Sequence, residues 1–344
     1  MKLIFVGNGV DLHVGLKTSY KSYQDYLRSH CYVNGENAIE LINNSPYFIG
    51  KRKNERWSDL EEALTFDWNR YIEDKLRTYD RDVNPNNIQE AELQLKDSVK
   101  FEKVNPEMVA WEFTEEWFWE WISKEYYLNI EKVKSQYNGK LEDIFYNGKL
   151  EDIFTEDSII VNFNYTHTLE DLFSIKKDKI LYIHNKLPDK KNVSKKTISF
   201  DEWLSDLLEA GQKTFQFGSP KNDYEKCQEI LDNLSIESKT MQGKEGWIER
   251  DIKQMFLAFS KNLNKNYDGL AKFIDGYMDD IDEVIIIGHS MLGVDEPYYR
   301  DIVCPKLKSS IWTIYWHDEN DEISTNEFVE KYLLENNDVD KIQW

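Results

Sequence analysis

The chain begins with Lys2-Leu-Ile-Phe-Val6 and turns at once into Gly7-Asn8-Gly9-Val10-Asp11-Leu12. A short apolar run rich in β-formers predicts a buried strand, and glycines directly after it predict a tight turn into a helix. Gly7 and Gly9 reach backbone conformations closed to other residues and let a ligand approach the main chain, while the first amides of a following helix attract anions. The dinucleotide fingerprint Gly-x-Gly-x-x-Gly is half met, because Leu12 holds its third glycine position and Gly15 falls later. A nucleotide loop and an ordinary glycine turn on a buried strand both fit these residues.

Further short apolar runs lie at Ser158–Phe163, Lys179–Ile183, Thr214–Phe217, Val284–Ile287 and Ile311–Trp316, with helical patterns between them. Strands alternating with helices predict an α/β fold: a Rossmann-like, mostly parallel sheet flanked by helices, whose ligands sit outside the carboxyl ends of the strands. From about Tyr20 to Phe154 no strand pattern appears, which predicts a large helical insertion after the first strand. Trp111, Phe113, Trp117, Phe118, Trp121 and Ile122, spaced by mixed threes and fours, form its expected core face. The expected organisation is a nucleotide-binding core from residues 1–20 plus 155–344 and a helical insertion over 21–154 that covers the ligand edge. The insertion ends in a tandem repeat, YNGKLEDIF at Tyr137–Phe145 and again at Tyr146–Phe154. Two nine-residue copies do not make a solenoid, so the repeat reads as a functionally quiet duplication in a linker or hairpin.

The 344 residues are 40% hydrophobic and 14% aromatic, enough to build a core. A net charge of −21 repels phosphate backbones and argues against nucleic acid as a partner. Lys190, Lys191, Lys195 and Lys196 are the conspicuous basic cluster, and without interleaved aromatic residues they read as a solvated loop. Cys31, Cys227 and Cys304 are far apart and odd in number, which fits neither a disulfide framework nor a metal knuckle. No run reaches the roughly 20 apolar residues of a membrane span, and Met1–Val6 is too short for a signal-peptide core. These features predict a soluble cytoplasmic protein with no membrane partner.

Four strand ends carry polar motifs. After Ile159-Ile-Val comes Asn162-Phe-Asn164-Tyr165-Thr166-His167, where Asn162 and Asn164 alternate onto one side of an extended segment and an Asn amide can hold a ribose hydroxyl or a water. Thr166 is placed to cap the next helix, and His167 reads as an exposed first-turn residue. Ile180-Leu-Tyr-Ile leads into His184, a residue suited to act as a general base. Val284-Ile-Ile-Ile leads into Gly288-His289-Ser290-Met-Leu-Gly293-Val-Asp295, which repeats the opening pattern of buried strand, glycine, polar side chain and carboxylate. The hydrolase elbow Gly-x-Ser-x-Gly fails there because Leu292 occupies its second glycine position. Phe217-Gly218-Ser219-Pro220 reads as a turn, with a pocket floor as the alternative. Trp57-Ser58-Asp59-Leu60-Glu61-Glu62 reads as a capped helix start whose carboxylates favour the helix dipole, although Asp59 and Glu62 could share a face. No motif spacing calls for a bound catalytic metal.

The motifs VGNGVDL with GLKTSY close behind, WSDLEE, NFNYTHTLE and GHSMLGVD, taken in order, resemble the AbiH family of bacterial abortive-infection proteins. That resemblance implies phage defence in a bacterial cytoplasm, by arrest or sacrifice of the infected cell. The order of glycine loop, strand-end Asn, strand-end His and Gly-x-Ser is also distantly similar to sirtuin-like NAD-binding domains. This second resemblance implies that Gly7, Asn8, Gly9 and Asp11 cradle a dinucleotide and that Ser290 contacts its ribose-phosphate; read as a nucleotide loop, the same segment offers Gly288 for close approach, with His289 and Asp295 as further expected ligand contacts. It makes Asn164 the holder of the nicotinamide ribose or attacking water and His184 the base. Thr166 stands where an acidic residue is usual, Asn185 stands where Gly follows the His, and the zinc-binding cysteines of deacylating sirtuins are missing.

The expected function is therefore antiphage defence through binding, and hydrolysis, of NAD or a related nucleotide, with a phage-derived trigger as a further partner and no metal. The alternatives are a non-catalytic module that senses a nucleotide or a phage protein, and a nuclease using Asp11, Asp59, Glu61 or Asp295 with a divalent ion.

Overall fold

A computed structural model describes residues 1–52, 55–74, 117–137, 153–187, 218, 219, 222, 229, 255, 259, 261, 263–335 and 338–344. The Thr214–Phe217 run, Trp111 and Phe113, the lysine cluster, Cys227, and the repeat apart from its ends lie outside these residues.

Six strands form one sheet: β1 (Lys2–Val6), β2 (Ser158–Asn162), β3 (Ile180–Tyr182), β4 (Glu283–Ile287), β5 (Ile311–Trp316) and β6 (Val339–Gln343). Their order is β3-β2-β1-β4-β5-β6, and every neighbouring pair is parallel. The chain winds outward from β1 in one direction through β3 and in the other from β4 to β6. The order thus reverses between β1 and β4, the switch point at which doubly wound sheets open a ligand crevice beyond their carboxyl ends. The predicted α/β parallel sheet is the observed fold, and β6 was not anticipated.

The central strands read as continuous apolar runs because both of their faces are covered. Leu3 pairs with Ile159 and Val284, and Phe5 with Val161 and Ile286. This set packs with Leu270, Ile274, Tyr298, Tyr299, Val303 and Phe328 on one face of the sheet. The alternate residues Ile4, Val6, Ile160, Ile285 and Ile287 are also buried.

Helix α1 (Asn8–His13) follows β1 directly, and α2 (Tyr20–His30), α3 (Tyr32–Asn44), α4 (Leu60–Ala63) and α5 (Phe118–Tyr137) come before β2. Trp117, Phe118, Trp121 and Ile122 are buried, as a packing face requires. After β2 come α6 (Thr168–Phe173), and before β4, α7 (Leu263–Asp275). Beyond β4, α8 (Glu296–Tyr298) continues through a π-helical turn, Tyr299–Val303, into α9 (Cys304–Leu307), and α10 (Glu319–Tyr332) precedes β6. No described helix is long and apolar enough to cross a membrane.

The chain divides into two compact units. One comprises Met1–Ser19, Glu120–Gln216 and Asn262–Trp344 and holds the whole sheet; the other comprises Tyr20–Trp119 and Phe217–Lys261.

Candidate functional site

The loops leaving β1 and β4 press against each other. Gly7 N donates to Ile287 O at 3.1 Å, and Gly9 N donates to Gly288 O at 2.7 Å. Gly7 has an extended backbone, φ −114°, so its glycine is needed for space: a Cβ there would lie 2.4 Å from Gly288 O and 2.5 Å from His289 Cα. A Cβ on Gly9 would meet Gly288 Cα at 2.6 Å. Gly288 itself has φ +61°, where glycine is favoured. The three glycines therefore permit loop-on-loop contact, and the Gly9 and Val10 amides already donate to Gly288 O and Gly7 O. Asn8 is exposed at this turn and exchanges two hydrogen bonds with Thr18, tying the helix start to the following loop.

Asn164 joins β2 to this pair of loops. Its Nδ2 donates to Gly7 O at 3.0 Å, and its backbone N donates to Asn162 Oδ1 at 3.0 Å, so Asn162 shapes the turn that presents Asn164. Asn164 is 5% exposed, and its Oδ1 is buried without a hydrogen-bond partner. Such an acceptor costs about 1–3 kcal/mol unless water or a ligand completes it.

His184 follows β3 and is 3% exposed. Its Nε2 faces Asp295 Oδ1 at 3.4 Å, while His289 Nε2 lies 3.9 Å from Asp295 Oδ2. One buried carboxylate thus stands between two imidazoles brought in from β3 and β4. Phe163 stacks on His289, centroids 3.9 Å apart, and meets His184 edge-on at 5.5 Å. Asp295 ends a short 3-10 turn entered through Gly293, φ +87°, and the π-helical turn just beyond it supplies Tyr299, whose buried hydroxyl also has no hydrogen-bond partner. Burial, and then the nearby Asp295 charge, raise that phenol's pKa well above the ordinary value.

Asp11 lies one helical turn into α1 and is buried. Thr166 Oγ1 donates to its Oδ2 at 2.6 Å and Thr168 Oγ1 to its Oδ1 at 2.5 Å. Burial raises the Asp11 carboxyl to about 6 in spite of these two bonds. Thr166 is therefore not the cap of α6: the N-cap position is His167, and the Thr166 hydroxyl serves Asp11 instead.

His167 is likewise not an exposed first-turn residue. It is 5% exposed, its Nε2 bonds Leu187 O at 2.5 Å, and its Nδ1 lies 3.4 Å from Glu170 Oε1. Ser290 is exposed, and its Oγ turns back to Leu292 O at 3.3 Å.

Gly7, Gly9, Asn164, Gly288, His289, His184 and Asp295 thus form one connected constellation at the carboxyl edge, around the switch point. Asn8 and Ser290 stand at its exposed margin, and Asp11 joins it through the Asn164-to-Thr166 segment. The role of Asp295 between the two histidines was not visible in the sequence, because it depends on which strand ends lie side by side.

The carboxylates after Trp57 belong to the other unit. Asp59 Oδ1 accepts from Glu62 N, capping α4, and Glu61 pairs with Lys261 Nζ at 2.6 Å. Ser219 Oγ bonds Thr65 Oγ1 in the same unit, at 2.8 Å. Among the described residues, ligand atoms spaced for a metal ion occur at His317, Asp318 and Asp321, all exposed, where Asp318 caps α10.

Residues 3–316 match the model of the family described as Bacteriophage abortive infection AbiH. No curated protein and no solved structure matches the chain.

Proposed function

Since the chain belongs to the AbiH family of bacteriophage abortive-infection proteins, we propose that it carries out this defence by binding and hydrolysing NAD or a related nucleotide. The observation that carries the reading is a buried unpartnered acceptor, Asn164 Oδ1, braced on the β1 loop at the carboxyl edge of a 3-2-1-4-5-6 parallel sheet, an edge that also carries the buried imidazole of His184. A water or ribose hydroxyl held there completes Asn164 and lies where doubly wound sheets take nucleotides.

In the hydrolysis, the oxygen of a water bonds to the ribosyl C1′ as the C1′–N bond to nicotinamide breaks. The leaving ring keeps the bonding pair and departs neutral, and the proton of the water passes to His184 and then to solvent. Asn164 Oδ1 accepts a hydrogen bond from the water and fixes its line of attack, a contribution of orientation more than of acid-base strength. Two departures from the sirtuin-like pattern fit this chemistry. Asn185 has φ +64°, the left-handed turn that glycine would otherwise supply. Asp11 brings a carboxylate to Thr166, where an acidic side chain is otherwise expected.

Purified full-length protein incubated with NAD, with and without phage lysate, tests the reading. Nicotinamide release that Asn164→Ala and His184→Ala each abolish is the expected result. NAD bound but not consumed under both conditions points to a sensing module, and metal-dependent degradation of DNA or RNA points to a nuclease; either overturns hydrolysis.

A further inference from the structure

We propose that Asp295 is a positioning residue that favours the His184 tautomer protonated at Nε2, leaving Nδ1 to accept the proton of the water, while His289 lies beside the other carboxylate oxygen. This rests on the reading of His184 as the base.

The geometry is directional. Nε2, not Nδ1, is the His184 nitrogen nearest Asp295 Oδ1, 3.4 Å away; it is buried and makes no hydrogen bond, so the carboxylate acts on the ring at ion-pair range. A carboxylate accepts only, so a ring held there presents Nε2–H to it and keeps its lone pair on Nδ1. Phe163 limits rotation of both rings, lying edge-on to His184 at 81° and stacked on His289 at 21°. The asymmetry between 3.4 and 3.9 Å favours His184 as the tighter partner. One carboxylate balances one imidazolium, so a proton that reaches His184 is stabilised by Asp295, and a second proton on His289 would leave a buried excess positive charge. Titratable groups packed around the pair include the phenols of Tyr165, Tyr298 and Tyr299, with ring centroids 6.0 and 6.4 Å from His184 and 5.8 Å from His289 respectively, and the Cys304 thiol acts on Tyr299.

The test uses the full chain labelled with nitrogen-15 at histidine, His184 and His289 being assigned by His184→Gln and His289→Gln. Long-range proton–nitrogen spectra at pH 8 are expected to show His184 protonated at Nε2. In Asp295→Asn the preference of His184 for Nε2 protonation is expected to be lost, because the carboxylate that favours a proton on that nitrogen is gone. On NAD, Asp295→Asn is expected to lower kcat by roughly 100-fold or more while KM moves by less than about threefold, and Asp295→Glu is expected to recover part of the loss. A wild-type His184 protonated at Nδ1 overturns the proposal, as does an unchanged His184 tautomer in folded Asp295→Asn. If Asp295→Asn does not fold, the wild-type tautomer decides. If the wild type does not consume NAD, the hydrolysis reading fails, while the tautomer still judges Asp295.

Discussion

Asn164 donates its side-chain amide to the carbonyl of Gly7 at 3.0 Å, closing 157 residues of chain into a single contact. The bond joins the end of β2 to the loop after β1 and aims the remaining oxygen of the same amide into the buried edge of the sheet. One side chain thus braces two strand ends and presents an acceptor, so its structural and functional contributions must be separated by substitution.

Asn164→Asp keeps the shape of the side chain but sets a carboxylate against the Gly7 carbonyl. The lost donor and the repulsion between two acceptors are expected to cost about 1–3 kcal/mol of folding stability. Urea unfolding checks this: a lower midpoint at an unchanged slope is the expected signature. An unchanged midpoint would show that the bond adds nothing in solution.

Gly9→Ala probes the contact between the two glycine loops without touching any proposed catalytic group. Its Cβ would stand 2.6 Å from Gly288 Cα, a backbone atom that cannot swing away. A loss of about 1–3 kcal/mol is expected in the absence of any nucleotide. If the glycine were needed only for the approach of a ligand, the thermal midpoint of the free protein would not move.

Asp11 makes stability depend on pH in an unusual direction. Its folded pKa of about 6 lies above its ordinary 3.8, so between these values the folded state binds the proton more tightly than the unfolded state does. Stability from this group is therefore greatest at low pH and falls as pH rises from about 4 to about 6, by about 3 kcal/mol. Asp11→Asn cannot titrate, and the difference in stability between variant and wild type, followed from pH 4 to 8, should grow in favour of the variant by that amount. Parallel curves would refute the raised pKa.

Much of this fold was legible because the central strands are buried on both faces and so are written as uninterrupted apolar runs. The edge strand β6 was missed for the converse reason: Val339-Asp-Lys-Ile-Gln343 is largely exposed and alternates with charged residues, as protected edges do. The positions of Asn164 and His184 at the sheet edge were legible because each directly follows an apolar run, and in a parallel sheet such runs end at the carboxyl edge. The glycines were recognised but their cause was not, since the need for space at Gly7 comes from His289, far away in sequence. His167 reads in the sequence as a polar first-turn residue, and its burial depends on a contact with the Leu187 carbonyl, 20 residues on.

Glu170 gives the opposite pH dependence. Burial would raise its carboxyl, but the hydrogen bonds from His167 and Tyr182 and the charges of His167 and Lys186 outweigh that effect and hold it at about 2. With a folded pKa below the ordinary 4.5, its contribution is complete above about pH 4.5 and disappears as pH falls toward 2. Acid unfolding of Glu170→Gln should lack this component, worth about 1–2 kcal/mol once partial exposure is allowed for. An identical acid limb in the variant would contradict the assignment.

In the second unit, Glu61 and Lys261 form an ion pair at 2.6 Å with side chains only 5% and 0% exposed. Attraction between buried charges is largely cancelled by the cost of removing them from water, so the pair as a whole adds little, but either charge left alone is expensive. Lys261→Met is therefore expected to destabilise by about 3–5 kcal/mol, and adding Glu61→Gln to it should recover a large part of that loss. A double-mutant cycle by chemical denaturation measures the coupling. Additive single effects would mean that water reaches the pair, and that the carboxylate is in reach of solvent as the nuclease alternative requires.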